Sequence, residues 1–160
     1  MRVFSGDFLN DLEIAAKQSP RKRAHYNLHH SYNEPCQRLF NALEFGTYIR
    51  PHRHWTDPKV ELLVAVRGVL AFVAFNDYGH VKEITRFGSG VREEELAVGL
   101  EVTPEIWHTV IPLVPGCLLL EVKAGPFDPY QAKDLAPWAP NEGTPDADAY
   151  LRLLTELVTK

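Results

Sequence analysis

From Gln37 onward the chain reads as short apolar or β-rich runs cut by turn residues: RLFNALEF, GTYIRPHRH, VELLVAVRG, VLAFVAF, VKEITRF, then, past Gly88-Ser89-Gly90, LEVTPEIWHTVIPL and CLLLEVKAG. That texture predicts an all-β domain. Gly68 stands between two of the apolar runs and Asn76-Asp77-Tyr78-Gly79 between two others. Both are predicted to be tight turns between antiparallel strands. VELLVAVRG is apolar at nearly every position from Val60 to Val66, which predicts a strand covered on both faces.

The flanks differ in pattern. Phe8, Leu12, Ala15 and Ala16 recur at helical spacing behind the caps Ser5 and Asp7, predicting a short amphipathic helix. At the other end Thr144-Pro145 reads as an N-cap and first helical residue, followed by Ala147, Tyr150, Leu151, Leu154 and Val158 on one face. Before it, GPFDPYQAKDLAPWAPNEG is too rich in Pro and Gly for a central strand. Its Phe127, Tyr130 and Trp138 predict an extended loop packed on the domain, over the mouth of a pocket. With 160 residues, 45% of them hydrophobic, the chain can bury one core. The expected organisation is a single domain over 1–160, with a β core at about 37–125, an N-terminal helical and loop extension at 1–36, and a C-terminal loop and helix at 126–160.

Charge narrows the partners. With 17 Lys and Arg against 21 Asp and Glu, the net charge of -4 gives no reason to seek phosphate backbones or anionic lipid, so neither nucleic acid nor membrane is expected. Arg21, Lys22 and Arg23 form a short isolated basic cluster, expected as a solvated loop, with an anion-binding patch as the sharper alternative. The N-terminal MRVFSGDFLNDLEIAAK fits neither a secretory signal nor a membrane span, and the expected location is the cytoplasm. Cys36 and Cys117 lie far apart without CxxC spacing, as ordinary reduced thiols do.

The residues that carry chemistry begin with His52 and His54, two apart in IRPHRHW, a spacing that puts both imidazoles on one face of a strand. Glu61 interrupts the apolar run, where an unpaired buried carboxylate would cost several kcal/mol. It therefore needs a cation or a strong donor, a metal or else an arginine such as Arg50 or Arg67. Trp55-Thr56-Asp57-Pro58 reads as a turn, so Glu61 is expected on the strand that runs back beside the histidines, within one hairpin. His108 stands in apolar EIWHTVIPL. Taken singly it reads as a core histidine, and with the other three it completes a set of nitrogen ligands and one carboxylate suited to a divalent transition metal: Fe, Zn, Mn or Ni.

The stretch from Gly46 to Gly68, GTYIRPHRHWTDPKVELLVAVRG, resembles the first cupin motif: glycine, five residues, HxH, a short spacer, Glu, six residues, glycine. In metal-binding cupins these histidines and this glutamate are ligands, and the resemblance implies that role for His52, His54 and Glu61. The second motif supplies a fourth histidine, matched by His108 within Gly99 to Pro112. There the usual glycine between Pro104 and His108 is absent, the spacing is one shorter, and Pro112 stands where asparagine is common. The implied fold is a small double-stranded β-helix, the cupin jelly-roll barrel, with short flanking helices. RKRAHYNLHHSYNEPCQRLFNAL, YIRPHRHWTDPKVE, the HTVIPL region and EVKAGPFDPYQAKDLAPWAPNEG further resemble the WbuC-type cupin-fold metalloproteins, a bacterial group associated with surface-polysaccharide (O-antigen) gene clusters.

A hydroxy-carbonyl sugar chelating open metal positions would have its alpha proton acidified, so the expected activity is isomerisation or epimerisation of a sugar or nucleotide sugar. A non-catalytic binding or sensing module and an Fe(II)-dependent oxygenase are the alternatives. Tyr48, Glu121 and Lys123 are the candidate proton carriers. His25, His29 and His30, with Tyr26 and Asn27, are expected either to close one end of the pocket or to lie on a surface loop, and His80 to mark an exposed hairpin end. Trp107 and Trp138 offer a stacking face for a sugar. Exposed strand edges and the terminal helix are compatible with a homodimer.

Overall fold

The computed structural model describes residues 1–89 and 96–160, so Gly90, the end of the Gly-Ser-Gly break, lies outside the described residues. The elements in order are α1 (Gly6–Gln18), β1 (Arg23–Asn27), β2 (Cys36–Leu43), β3 (His52–Arg53), β4 (Glu61–Phe75), β5 (Val81–Ser89), β6 (Gly99–Val102), β7 (Trp107–Pro112), β8 (Cys117–Ala124), β9 (Asp134–Leu135) and α2 (Pro145–Val158). The two helices start where their caps predict. Ser5 accepts from Phe8 N, and Thr144 accepts from Ala147 N with Pro145 opening α2.

The named strands pair antiparallel and curl about β4, which belongs to two sheets in turn. Its first half pairs with β6 on one side and β8 on the other, and β8 continues to β2 and β1. Its second half pairs with β5 and β7, and β7 continues through β3 to β9. The resulting fold is an all-β jelly-roll barrel with flanking helices, as the sequence predicts. The two-residue period of β-structure decides what each face covers. Leu70 and Phe72 turn into the barrel with Leu63, Phe87 and Leu119, while Ala71, Val73 and Phe75 turn outward beneath Leu154 and Val158 of α2. On the opposite sheet Phe40, Ala42 and Leu118 turn outward under Leu12 and Ala16 of α1.

Three expectations change. Gly68 makes no turn, because β4 runs through it from Glu61 to Phe75. Its φ of +81° and the register shift between Ala65 and Arg67 mark a bulge where the strand exchanges one pair of neighbours for another. A left-handed residue fits there at least cost as glycine, and a Cβ would come within 2.7 Å of Cys117 Sγ. The double-sided cover falls on Val69–Phe75 instead of Val60–Val66, since Val60 and Leu62 face solvent and only the second half lies under α2. The N-terminal extension contributes a strand, β1, which lengthens the wall of the barrel. The Asn76–His80 turn joins β4 to β5 as expected, with His80 exposed on it. Among the described residues no helix is long and apolar enough to cross a membrane.

Candidate metal centre

Two cross-strand pairs build the site. His52 lies directly opposite His108 in the β3–β7 pair, and Glu61 directly opposite Lys123 in the β4–β8 pair. The histidines thus come from one sheet and the carboxylate from the other, meeting across the barrel interior. This corrects the single-hairpin expectation: β3 pairs with β7 and β9, and Glu61 opens a strand whose partners there are β6 and β8. His54, just past β3, is fixed by its backbone N–H, which donates to Pro104 O at 2.9 Å. All four side chains are buried.

The ring nitrogens settle which atoms face inward. His52 Nδ1 lies 3.0 Å from Arg50 O, His54 Nδ1 2.5 Å from Ala132 O and His108 Nδ1 2.8 Å from Ile106 O. A backbone carbonyl only accepts, so each Nδ1 carries the proton and donates it. Burial pushes His52 well below the usual imidazole range and His108 down to about 4, so both rings are neutral with bare Nε2 lone pairs. One ligand-capable atom from each of the three rings lies within 4.8 Å of the others. His54 Nε2 is 2.9 Å from Glu61 Oε2, yet the two are not aligned as a hydrogen bond. His108 Nε2 is 3.8 Å from the same oxygen. Burial would raise the Glu61 carboxyl, but the Lys123 ammonium beside it holds it well below the usual range.

Lone pairs and a carboxylate oxygen crowded together without aligned protons repel one another, and a divalent cation among them would replace that repulsion with ligation. The donor set, three imidazoles held by carbonyls through their far nitrogen and one carboxylate, fits a divalent transition metal. Glu61 is partly compensated without a metal: its Oε1 accepts from Lys123 Nζ at 2.7 Å. Neither arginine considered from the sequence does this, since Arg50 bonds Asn141 and Ala136 O, and Arg67 bonds Asn10 and Glu13.

A cavity of about 450 Å³ opens beside this cluster, with His52, His108 and Glu61 in its wall. Glu121 and Lys123, two apart on β8, both face it. Glu121 Oε2 accepts from Asn41 Nδ2 at 2.9 Å, and its other oxygen is 3.3 Å from Lys123 Nζ. Burial first, then the Glu61 charge, pushes the Glu121 carboxyl above its ordinary range. The Lys123 ammonium is raised, because the two carboxylates outweigh its burial.

Tyr48 does not belong here. Its phenol donates to Pro140 O at 2.9 Å, its ring meets Tyr150 edge-on, and burial pushes its pKa up to about 12. Trp107 and Trp138 likewise lie outside the cavity: Trp138 packs on Phe75 and Trp107, and Trp107 bonds Asp77 beneath the guanidinium of Arg53. Of the early histidines, His25 and His29 line the cavity and His30 does not. Arg21 and Arg23, expected in a solvated loop, also reach its wall, clamped by Glu142 at 2.8 Å each. The sequence reading missed Lys133 and Asn41. Asn41 had a signal, as a polar residue set between Phe40 and Ala42 inside an apolar run, whereas Lys133 sits in a polar loop where nothing distinguishes it.

Residues 4–87 match the family model described as a domain of unknown function, DUF6016, and since that is more than half of the chain, the protein belongs to this family. No curated protein matches the sequence. Among solved structures, protein SO0799 from Shewanella oneidensis superposes with a TM-score of 0.60 at 12% identity, covering 94% of each chain. Oxalate decarboxylase from Bacillus subtilis gives 0.52 at 16% identity over 71% of this chain and 27% of that one. KdgF from Halomonas sp. gives 0.50 at 14% identity, over 69% and 84% respectively. At these identities the likeness is one of fold, and the fold is that of the cupins.

Proposed function

We propose that this member of the DUF6016 family is a metal-dependent cupin enzyme acting on a small polar substrate, of the sugar or nucleotide-sugar class, by isomerisation or epimerisation. The observation that carries the reading is the convergence of imidazole nitrogens, each ring proton tied to a carbonyl, upon Glu61 Oε2 at the wall of a cavity. His52, His54, His108 and Glu61 are the proposed ligands. A bound divalent metal would polarise a substrate oxygen as a Lewis acid. Lys123 grips the second oxygen of Glu61, leaving one oxygen facing the imidazoles. Glu121, its carboxyl raised by burial, is the residue proposed to move a proton to and from substrate carbon. The cavity volume falls within the range usual for small-molecule sites. The resemblance of the sequence to WbuC-type proteins supports a place in surface-polysaccharide biosynthesis.

Protein purified without a histidine tag is expected to hold close to one transition metal per chain, and Glu61→Gln to hold it less well. A chain that stays metal-free after reconstitution overturns the proposal. With a panel of nucleotide sugars in D2O, NMR should detect exchange of a sugar proton that is lost in Glu121→Gln at unchanged metal content. Thermal stabilisation without exchange would instead identify a binding module.

A further inference from the structure

The charges around the cavity do not cancel evenly. Both carboxylates in its wall are already engaged: Glu61 by Lys123, Glu121 by Asn41 and Lys123. Arg21 and Arg23 share the single carboxylate of Glu142. Lys133, from the loop between β8 and α2, also faces the cavity, and its ammonium has neither a hydrogen bond nor an ion pair among the described residues. Lys133 is exposed as a residue, and part of its surface lies in the cavity wall.

We infer that Lys133 is an anion anchor, and that the ligand of this cavity carries a carboxylate or phosphate that pairs with Lys133 while its hydroxyl or carbonyl oxygens face the histidine cluster. The inference deepens the proposed function, on which it rests for the second contact. Three features support it. An ammonium in the cavity wall with no protein counter-anion is free to form a charge-assisted hydrogen bond with a ligand oxyanion. Burial, opposed by the more distant Glu121 and Glu61, pushes the Lys133 ammonium down from its ordinary range, so an anion bound beside it would bring it back up. A divalent metal at the proposed ligands would add further positive charge to a cavity whose carboxylates are already committed. A neutral sugar leaves all of that uncompensated, whereas a sugar acid or sugar phosphate matches it.

The test uses three probes with one ring, D-glucose, D-glucuronate and D-glucose 6-phosphate, titrated calorimetrically into metal-loaded and metal-free full-length protein. Wild type, Lys133→Met and Lys133→Arg are compared, each with its metal content measured. Wild type should bind at least one charged probe about tenfold or more tightly than glucose, with an affinity that falls as salt rises. Lys133→Met should lose that preference at unchanged metal content and unfolding temperature, and Lys133→Arg should keep most of it. Which probe is favoured tells carboxylate from phosphate. Equal binding of glucose and both charged probes, no binding of either charged probe, or charged-probe binding unaltered in Lys133→Met overturns the anchor. A wild type that holds no metal yet binds a charged probe through Lys133 overturns the metal reading and leaves the anchor standing.

Discussion

Along β4, Glu61 and Leu63 face the cavity while Leu62 is exposed and Val66 packs on the cluster beneath α1, whereas the residues from Val69 to Phe75 are buried on both faces, between the barrel interior and the cover of α2. Leu70, Ala71 and Val73 are 0% exposed and belong to the apolar clusters of the core. Glu61, 3% exposed, is as deeply buried as many core residues, yet it is held by the Lys123 ammonium. Burial therefore has two meanings in one strand. In the dry half it stabilises directly, at about 25 cal/mol per Å² of apolar surface. In the polar half desolvation must be offset pair by pair, and an apolar filling would hold the barrel together as well or better.

The largest expected effect breaks that contrast at Glu61. In metal-free protein Glu61→Leu strands Lys123 in the interior with only Glu121, at 3.3 Å, to face it. Removing one partner of such a pair costs about 3 to 5 kcal/mol. The double replacement Glu61→Leu with Lys123→Met should recover most of the loss in urea unfolding, since an apolar pair needs no compensation. A double variant no more stable than the single one would show that the polar half is a structural element in its own right. In the dry half Leu70→Ala should cost about 3 kcal/mol by leaving a cavity, and no polar second-site change should restore it.

The same contrast explains what was legible in the sequence. Apolar period and caps are local, so the helices, the all-β core and the turn at Asn76–Gly79 could be read from consecutive residues. His52 and His54 were readable from the alternation of strand side chains, and Glu61 because an apolar strand rarely contains a carboxylate. What could not be read depends on sheet order. Tyr48 stands four residues before His52, yet its phenol is claimed by Pro140, 92 positions away. Lys133 lines the cavity only because its loop folds back so that β9 pairs with β3. Composition could not tell whether Gly68 turns the chain or bends a strand that continues, because both uses require the same positive φ.

Gly68 is the boundary between the halves, and substitution there tests whether the boundary is rigid. Ala at φ +81° pays the left-handed penalty of about 1 to 2 kcal/mol, and its methyl would meet Cys117 Sγ and Val114 Cγ2. Gly68→Ala should therefore cost about 2 kcal/mol in thermal or urea unfolding. The companion variant Gly68→Ala with Cys117→Ala should recover the steric part and leave the backbone part. Full recovery would mean that the strand bends there without needing a left-handed residue.

The smallest expected effect lies at the rim of the polar half, where Glu142 clamps Arg21 and Arg23. Hydrogen bonding from Arg21 outweighs burial and, with Arg23, holds the Glu142 carboxyl down at about 2, against 4.5 for the free group. The folded state thus binds this proton less readily than the unfolded chain does, so the clamp contributes fully above pH 4.5 and its contribution is lost as pH falls toward about 2. A third of the Glu142 side chain remains exposed and Arg21 more so, and water screens the pair. Glu142→Gln should accordingly cost only about 1 kcal/mol or less at neutral pH, a difference that shrinks with added salt. Plotted against pH, the wild-type and Glu142→Gln stabilities should converge below pH 4.5. Curves that stay parallel there would mean that the clamp acts through packing, and that the rim follows the rule of the dry half instead of the polar one.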